Sequence, residues 1–190
     1  MTTATDITGR TIAFLAAPEG TEQVELTDPW DKVRAAGGRP QLISTTDQPI
    51  QGFNHLDRAD TFPVDATVDQ VKATDYAGLV LPGGVANPDH LRTQPRAVEF
   101  VRAFFEAGLP VAAICHAPWT IVEAGQVRGR TLTSYPSLRT DIINAGGAWV
   151  DERVVVDTSG PTTLVTSRTP ADLPAFTEAA LAAFAETPTR

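Results

Sequence analysis

The chain contains one cysteine, Cys115, and a histidine, His116, follows it directly. A thiolate is a good nucleophile at neutral pH and an imidazole is a ready base, so this pair is the first place to look for covalent chemistry. A lone cysteine is more often a small buried hydrophobe, and its surroundings must decide between the two. Residues 110–114 (PVAAI) form an apolar run that leads straight into Cys115, and His116-Ala117-Pro118 comes next. Pro118 suits the first turn of a helix. A strand, a nucleophile and a helix start in that order make a nucleophile elbow, which lifts the side chain above a sheet on a sharp turn. The helix amides aimed at the sulfur are expected to favour thiolate and lower the thiol pKa.

Two further features belong with the elbow. Residues 78–81 (GLVL) end on Pro82-Gly83-Gly84. Glycines let backbone amides approach a ligand closely, so Gly84 N–H and His116 N–H are the expected oxyanion donors. The glycine pair could also simply make a turn; beside Cys115 the functional reading is preferred. The third feature is Glu22, after the first apolar run. Asp28-Pro29 reads either as a helix start or as an interruption of a helix beginning near Glu22. In the second case Pro29 removes the bond to the Glu25 carbonyl, and Glu22 lies in the first turn beside the strand ends.

The elements that must position these residues follow from periodicity. Short apolar runs at 11–16, 40–45, 78–81 and 110–114 alternate with amphipathic stretches, which predicts a mainly parallel sheet with helices on both faces. The expected class is therefore α/β, a three-layer, flavodoxin-like sandwich. Residues 154–156 and 163–166 read as strands of a hairpin, and 48–64 as an antiparallel hairpin at one edge. Helices are expected over 95–107, 118–124, 138–145 and 173–185, the first of them stopped by Gly108. Residues 1–10 read as a disordered tail and 11–190 as one domain.

Bulk properties narrow the function. A formal net charge of -8 and no visible basic patch argue against nucleic acid as a partner. No apolar run is long enough to cross a bilayer and the first ten residues lack a signal-peptide layout, so a cytoplasmic location is expected. One cysteine and three scattered histidines, His55, His90 and His116, predict no disulfide, no metal site and no cofactor. His55 and His90 read as solvated loop residues, and Trp119 as packing.

The motifs GLVLPGG…PDHLR from Gly78, VAAICHAPW from Val111 and GRTLTSY from Gly129 resemble the PfpI-type intracellular protease family. That family lies within the superfamily of the Parkinson-disease deglycase and the class I glutamine amidotransferases. The resemblance continues through Asp141, Asn144-Ala145-Gly146-Gly147 and the run from Thr166 to Pro174, and so covers nearly the whole chain after the tail. It implies Cys115 as nucleophile and Glu22 as the carboxyl beside it, protonated so that its O–H stabilises the thiolate. It also implies His116 as base, with Asp89 of a neighbouring subunit as its acid, and therefore a homodimer or larger oligomer. Tyr135 matches a pocket tyrosine, with a half-buried core position as the alternative. Gly83 and Gly84 complete the expected substrate site.

The implied function is a stress-protective, cysteine-dependent enzyme with hydrolase-like chemistry on glyoxals or glycated adducts. The alternatives are an intracellular cysteine peptidase or amidase, and a non-enzymatic sensor acting through oxidation of Cys115. A glutamine amidotransferase is disfavoured because no histidine follows His116.

Overall fold

The computed structural model describes residues 5–186. In chain order its strands are β1 (Thr11–Ala16), β2 (Glu19–Glu22), β3 (Arg39–Ser44), β4 (Ile50–Asn54), β5 (Asp57–Phe62), β6 (Ala66–Thr67), β7 (Gly78–Leu81), β8 (Val111–Ile114), β9 (Thr131–Leu132), β10 (Ala148–Trp149), β11 (Val154–Asp157) and β12 (Leu164–Ser167). The helices are α1 (Gln23–Ala35), α2 (Ala86–Arg92), α3 (Pro95–Glu106), α4 (Pro118–Glu123), α5 (Arg139–Asn144) and α6 (Leu173–Glu186). Seven strands form the central sheet in the order β11-β12-β8-β7-β1-β3-β6. Every pairing in it is parallel except β11 with β12, which closes one edge.

Both faces of this sheet are buried, and the strand sequences show why. In β1, Ala13 and Leu15 face one hydrophobic cluster while Ile12, Phe14 and Ala16 face the other. A strand covered on both sides reads as a continuous apolar run rather than as an alternation. Helices α1 and α6 cover one face through Leu26, Val33, Phe176 and Phe184. Helix α3 covers the other through Val98, Val101, Phe104 and Phe105, the stripe expected from its spacing. The result is the three-layer α/β sandwich.

The expected hairpin at 48–64 forms as β4 and β5, but β4 also pairs in parallel with β2, so a separate three-stranded sheet stands beside the main one. Of the stretch 1–10, expected as a tail, residues 1–4 lie outside the described residues, while Ile7 is 1% exposed and its N–H bonds Ala36 O at 2.9 Å. An apolar side chain with a place in the α1 cluster stays packed. His90, expected in a loop, is instead helical with Asn87, Pro88 and Asp89 within α2, where Pro88 sits in the first turn and costs no intrahelical bond.

Candidate active site

The order of the central sheet reverses beside β1: the chain runs outward through β3 and β6, then returns to β7 and proceeds the other way. Open α/β sheets bind ligands in the crevice at such a switch point, beyond the carboxyl ends of the strands. A cavity of about 640 Å³ lies there, and its lining includes Glu22, Glu25, Gly84, Cys115, His116 and Tyr135.

Cys115 is at its floor. The residue follows β8 with φ of 63°, a left-handed backbone that a non-glycine residue rarely adopts. Neighbouring elements hold it there: Cys115 N–H donates to Ser167 O at 3.0 Å, and Cys115 O accepts from Tyr135 N–H at 2.8 Å. The elbow expected from the sequence is thus present, and Cys115 is only 7% exposed.

The carboxyl beside the thiol is Glu25, which corrects the expectation for Glu22. Helix α1 starts at Gln23, so Glu22 is its N-cap residue and ends β2. From there Glu22 turns to the β4–β5 tip, where its Oε2 accepts from His55 N–H at 3.0 Å and lies 3.7 Å from His55 Nδ1. Glu25, one turn later, is fully buried and interacts directly with Cys115. Gly83 N–H donates to Glu25 Oε2 at 2.9 Å, whereas Oε1 is buried without a conventional hydrogen-bond partner. The signal for it lay in the stripe Glu25, Leu26, Pro29 and Val33, the buried residues of α1. An acid on an apolar stripe asks for a polar partner inside. Pro29 does lie within the helix, as the second reading of that segment had it.

Burial pushes the Glu25 carboxyl up to about 8, against the Gly83 amide, and the nearby Glu22 charge adds to the rise. Glu25 therefore keeps its proton at neutral pH and can donate it. The thiol moves in the opposite direction to that expected from the helix start. Burial pushes Cys115 well above the usual thiol range and ionised Glu25 adds to this, while the amides of Gly84 and His116, both hydrogen-bonded to it, pull it down. Proximity to a six-residue helix does not outweigh desolvation of the sulfur. Carboxyl and thiol titrate as one pair, in which the negative charge of either raises the other.

The amides expected as oxyanion donors, those of Gly84 and His116, thus do converge on the sulfur. The glycines are required by space. A Cβ on Gly83 would lie 2.5 Å from Glu25 Oε2 and 2.6 Å from Cys115 Cβ; Gly84 has φ of 83°, and a Cβ there would collide with Gly20 O. Asn87, which sequence reasoning missed, braces this loop. Its buried amide donates to Pro82 O at 2.8 Å and Gly83 O at 3.2 Å, and its Oδ1 accepts from Ala17 N–H at 2.7 Å.

His116 lies beside the thiol, with Nδ1 3.1 Å from Cys115 Sγ. The left-handed turn at Cys115 brings the two successive side chains together. Burial lowers the His116 pKa, so the ring is neutral at neutral pH and free to accept a proton. Its Nε2 faces Ser137 Oγ at 3.2 Å, and Tyr135 stacks on it with ring centroids 4.4 Å apart. Asp89 lines the same cavity from α2 but makes no hydrogen bond to His116 within the chain, among the described residues. His55 is exposed yet belongs to the cavity lining through Glu22, whereas His90 lies outside it. Trp119 packs near His116 and donates from Nε1 to Asp141 Oδ2 at 2.7 Å.

A parallel sheet with a cysteine elbow over its switch point, a buried acid beside the sulfur and two amides aimed at it define an α/β protein built around one buried thiol. The sequence matches the DJ-1/PfpI family over residues 10–183, and the chain belongs to that family. It is 41% identical over 165 residues to a deglycase of Pyrococcus horikoshii, covering 87% of this chain and 93% of the relative. It is 40% identical over 160 residues to protein/nucleic acid deglycase 2 of Escherichia coli, covering 84% and 90%. Among solved structures, a two-domain protein of Anabaena variabilis with DJ-1/ThiJ/PfpI-like and ferritin-like domains superposes with a TM-score of 0.83 at 32% identity, covering 91% of this chain and 47% of that one. Among the described residues no helix is long and apolar enough to cross a membrane.

Proposed function

We propose that this protein is a cysteine-dependent deglycase-type enzyme, which removes small dicarbonyl adducts by hydrolase-like chemistry and so protects against carbonyl stress. The observation that carries this reading is the fully buried Glu25 carboxyl set against Cys115 in the cavity, with the amides of Gly84 and His116 on the same sulfur. Deglycase names among relatives about 40% identical over most of the chain support it.

In this reading Cys115 gives its proton to His116 Nδ1, and its sulfur either adds to a free aldehyde carbon or displaces the amine from the adduct carbon, the amine leaving with the proton held by His116. The developing oxyanion accepts from the Gly84 and His116 amides and takes a proton from Glu25. The Glu25 carboxylate then moves a proton from that carbon to the neighbouring carbonyl carbon while the hydroxyl proton passes to the neighbouring carbonyl oxygen, which leaves a 2-hydroxy thioester for water to hydrolyse. The product is a 2-hydroxy acid, and the thiol returns. Tyr135 at the cavity mouth and Gly83 under the loop shape the substrate site. Asp89, exposed on α2, is the residue a neighbouring subunit would offer or receive in a homo-oligomer.

The test is loss of adduct from glyoxal-treated amino acids, with 2-hydroxy acid as product, followed beside a panel of peptides and amides. Turnover of the adducts that vanishes in Cys115→Ser supports the reading. Hydrolysis of peptides alone transfers the site to a peptidase or amidase. Peroxide-dependent mass gain at Cys115 with no turnover of either class makes it an oxidation sensor.

A further inference from the structure

We propose that Ser137 is the positioning residue for His116: its Oγ, 3.2 Å from Nε2, holds the imidazole in the tautomer that leaves Nδ1, 3.1 Å from Cys115 Sγ, free to take the thiol proton. The assignment rests on the Cys115 chemistry proposed above, and it places the orienting group in the same chain.

A neutral imidazole carries one N–H, and the hydrogen bond at one nitrogen decides the role of the other. If Nε2–H donates to Ser137 Oγ, Nδ1 holds the lone pair and accepts from the Cys115 thiol. Once the proton has passed from sulfur to Nδ1, Nε2–H still donates to the same hydroxyl, so the ring need not turn during the transfer. A serine hydroxyl accepts without bearing charge. It therefore orients the base without strengthening it as a carboxylate would.

The surroundings make that hydroxyl a fixed point. Ser137 lies in a single 3-10 turn, Pro136–Leu138, whose first residue has its backbone restricted by the proline ring. The residue before the turn is tied to the elbow through the Tyr135 N–H bond to Cys115 O at 2.8 Å. The Tyr135 ring covers one face of the imidazole at an interplanar angle of 22°, and Trp119 packs 5.5 Å away. Two aromatic neighbours limit tilting, and the hydroxyl limits the remaining choice of proton position. Ser137 is itself exposed, so it also connects a buried base to solvent. The other titratable groups lining this cavity with His116 are Glu19, Glu22, Glu25, His55, Asp89, Cys115 and Tyr135, and none of them hydrogen-bonds Nε2 among the described residues.

The experiment combines 15N NMR of the histidine rings with the pH profile of Cys115 alkylation by iodoacetamide, in the wild type, Ser137→Ala and Ser137→Thr. The wild type is expected to show His116 as the Nε2–H tautomer. Ser137→Ala should mix the tautomers and slow alkylation at pH 7 by about threefold to tenfold, the worth of one neutral hydrogen bond. Ser137→Thr should restore both. An Nδ1–H tautomer in the wild type, or an unchanged tautomer and profile in Ser137→Ala, overturns the assignment. Neither readout uses a substrate. If adduct turnover is absent while Ser137→Ala still shifts tautomer and alkylation, the positioning role stands and the deglycase reading falls.

Discussion

Two buried carboxyl groups sit at opposite ends of this protein's electrostatic range. Asp157, at the end of β11, meets Arg130 at 2.9 Å and also accepts from Thr131 N–H at 2.8 Å and Ser159 Oγ at 2.8 Å. Arg130 donates to Thr162 O at 2.9 Å and lies over the Phe105 ring. Burial alone would raise Asp157, yet the Thr131 amide, Ser159 and Arg130 together lower it. Glu25 is more deeply buried and, among the described residues, has the Gly83 amide and a thiol beside it and no cation, so burial prevails and the group stays protonated. One carboxyl is satisfied and holds the β9–β11 region together. The other is left under-partnered, and a poised proton is the consequence. Where the chain supplies partners the carboxyl is held ionised, and where it withholds them the carboxyl keeps its proton.

The contrast can be broken in several places. Cys115→Ser should abolish adduct turnover, a loss of about a thousandfold or more, with little change in the urea unfolding midpoint. A midpoint that falls steeply instead would make Cys115 a packing residue. Arg130→Met strands Asp157 in the interior and should cost about 3–5 kcal/mol in urea unfolding, while the Cys115 alkylation profile of the folded protein stays as it was. A cost near zero would mean that this pair does not hold the fold.

Glu25→Gln tests the other pole through pH. The folded-state value of about 8 lies above the ordinary 4.5, so Glu25 stabilises the fold fully below pH 4.5 and loses that contribution as pH rises to about 8. The slope is at most about 1.4 kcal/mol per pH unit. Glu25→Gln should remove this slope and reduce the coupled titration of Cys115 alkylation to a single inflection; a profile identical to wild type would separate Glu25 from the thiol. Asp157, shifted down, works with the opposite sign: its contribution is present above its ordinary value of 3.8 and disappears only in acid, as pH falls through the folded value. Asp89→Ala carries the smallest expected effect, a drop in turnover of about threefold to tenfold without unfolding. Unchanged turnover would remove the neighbouring-subunit acid from the mechanism.

Much of this arrangement is visible in one dimension. The apolar runs of β1, β7 and β8 and the helix stop at Gly108 are local patterns, and the strand and helix positions follow from them closely. The Cys115 elbow is readable for the same reason, since strand, nucleophile and Pro118 are contiguous. The choice between Glu22 and Glu25 was not. It depends on whether α1 starts before or after Gln23, and a shift of a few residues turns a side chain from the thiol to the β4–β5 tip. Ser137 gave no local sign because its partner is 21 residues away, and the Asn87 brace reaches Ala17 across 70.

By itself, then, the sequence determined the α/β class, the elbow and the family, because short-range periodicity and contiguous motifs specify each of them. Only the tertiary structure decided which acid meets the sulfur, which hydroxyl meets the imidazole and whether the thiol pKa rises or falls. Those outcomes depend on burial and on distances between separate segments. The Cys115 sulfur makes the point: a helix start predicts a lowered pKa, and burial of the sulfur among separate segments reverses it.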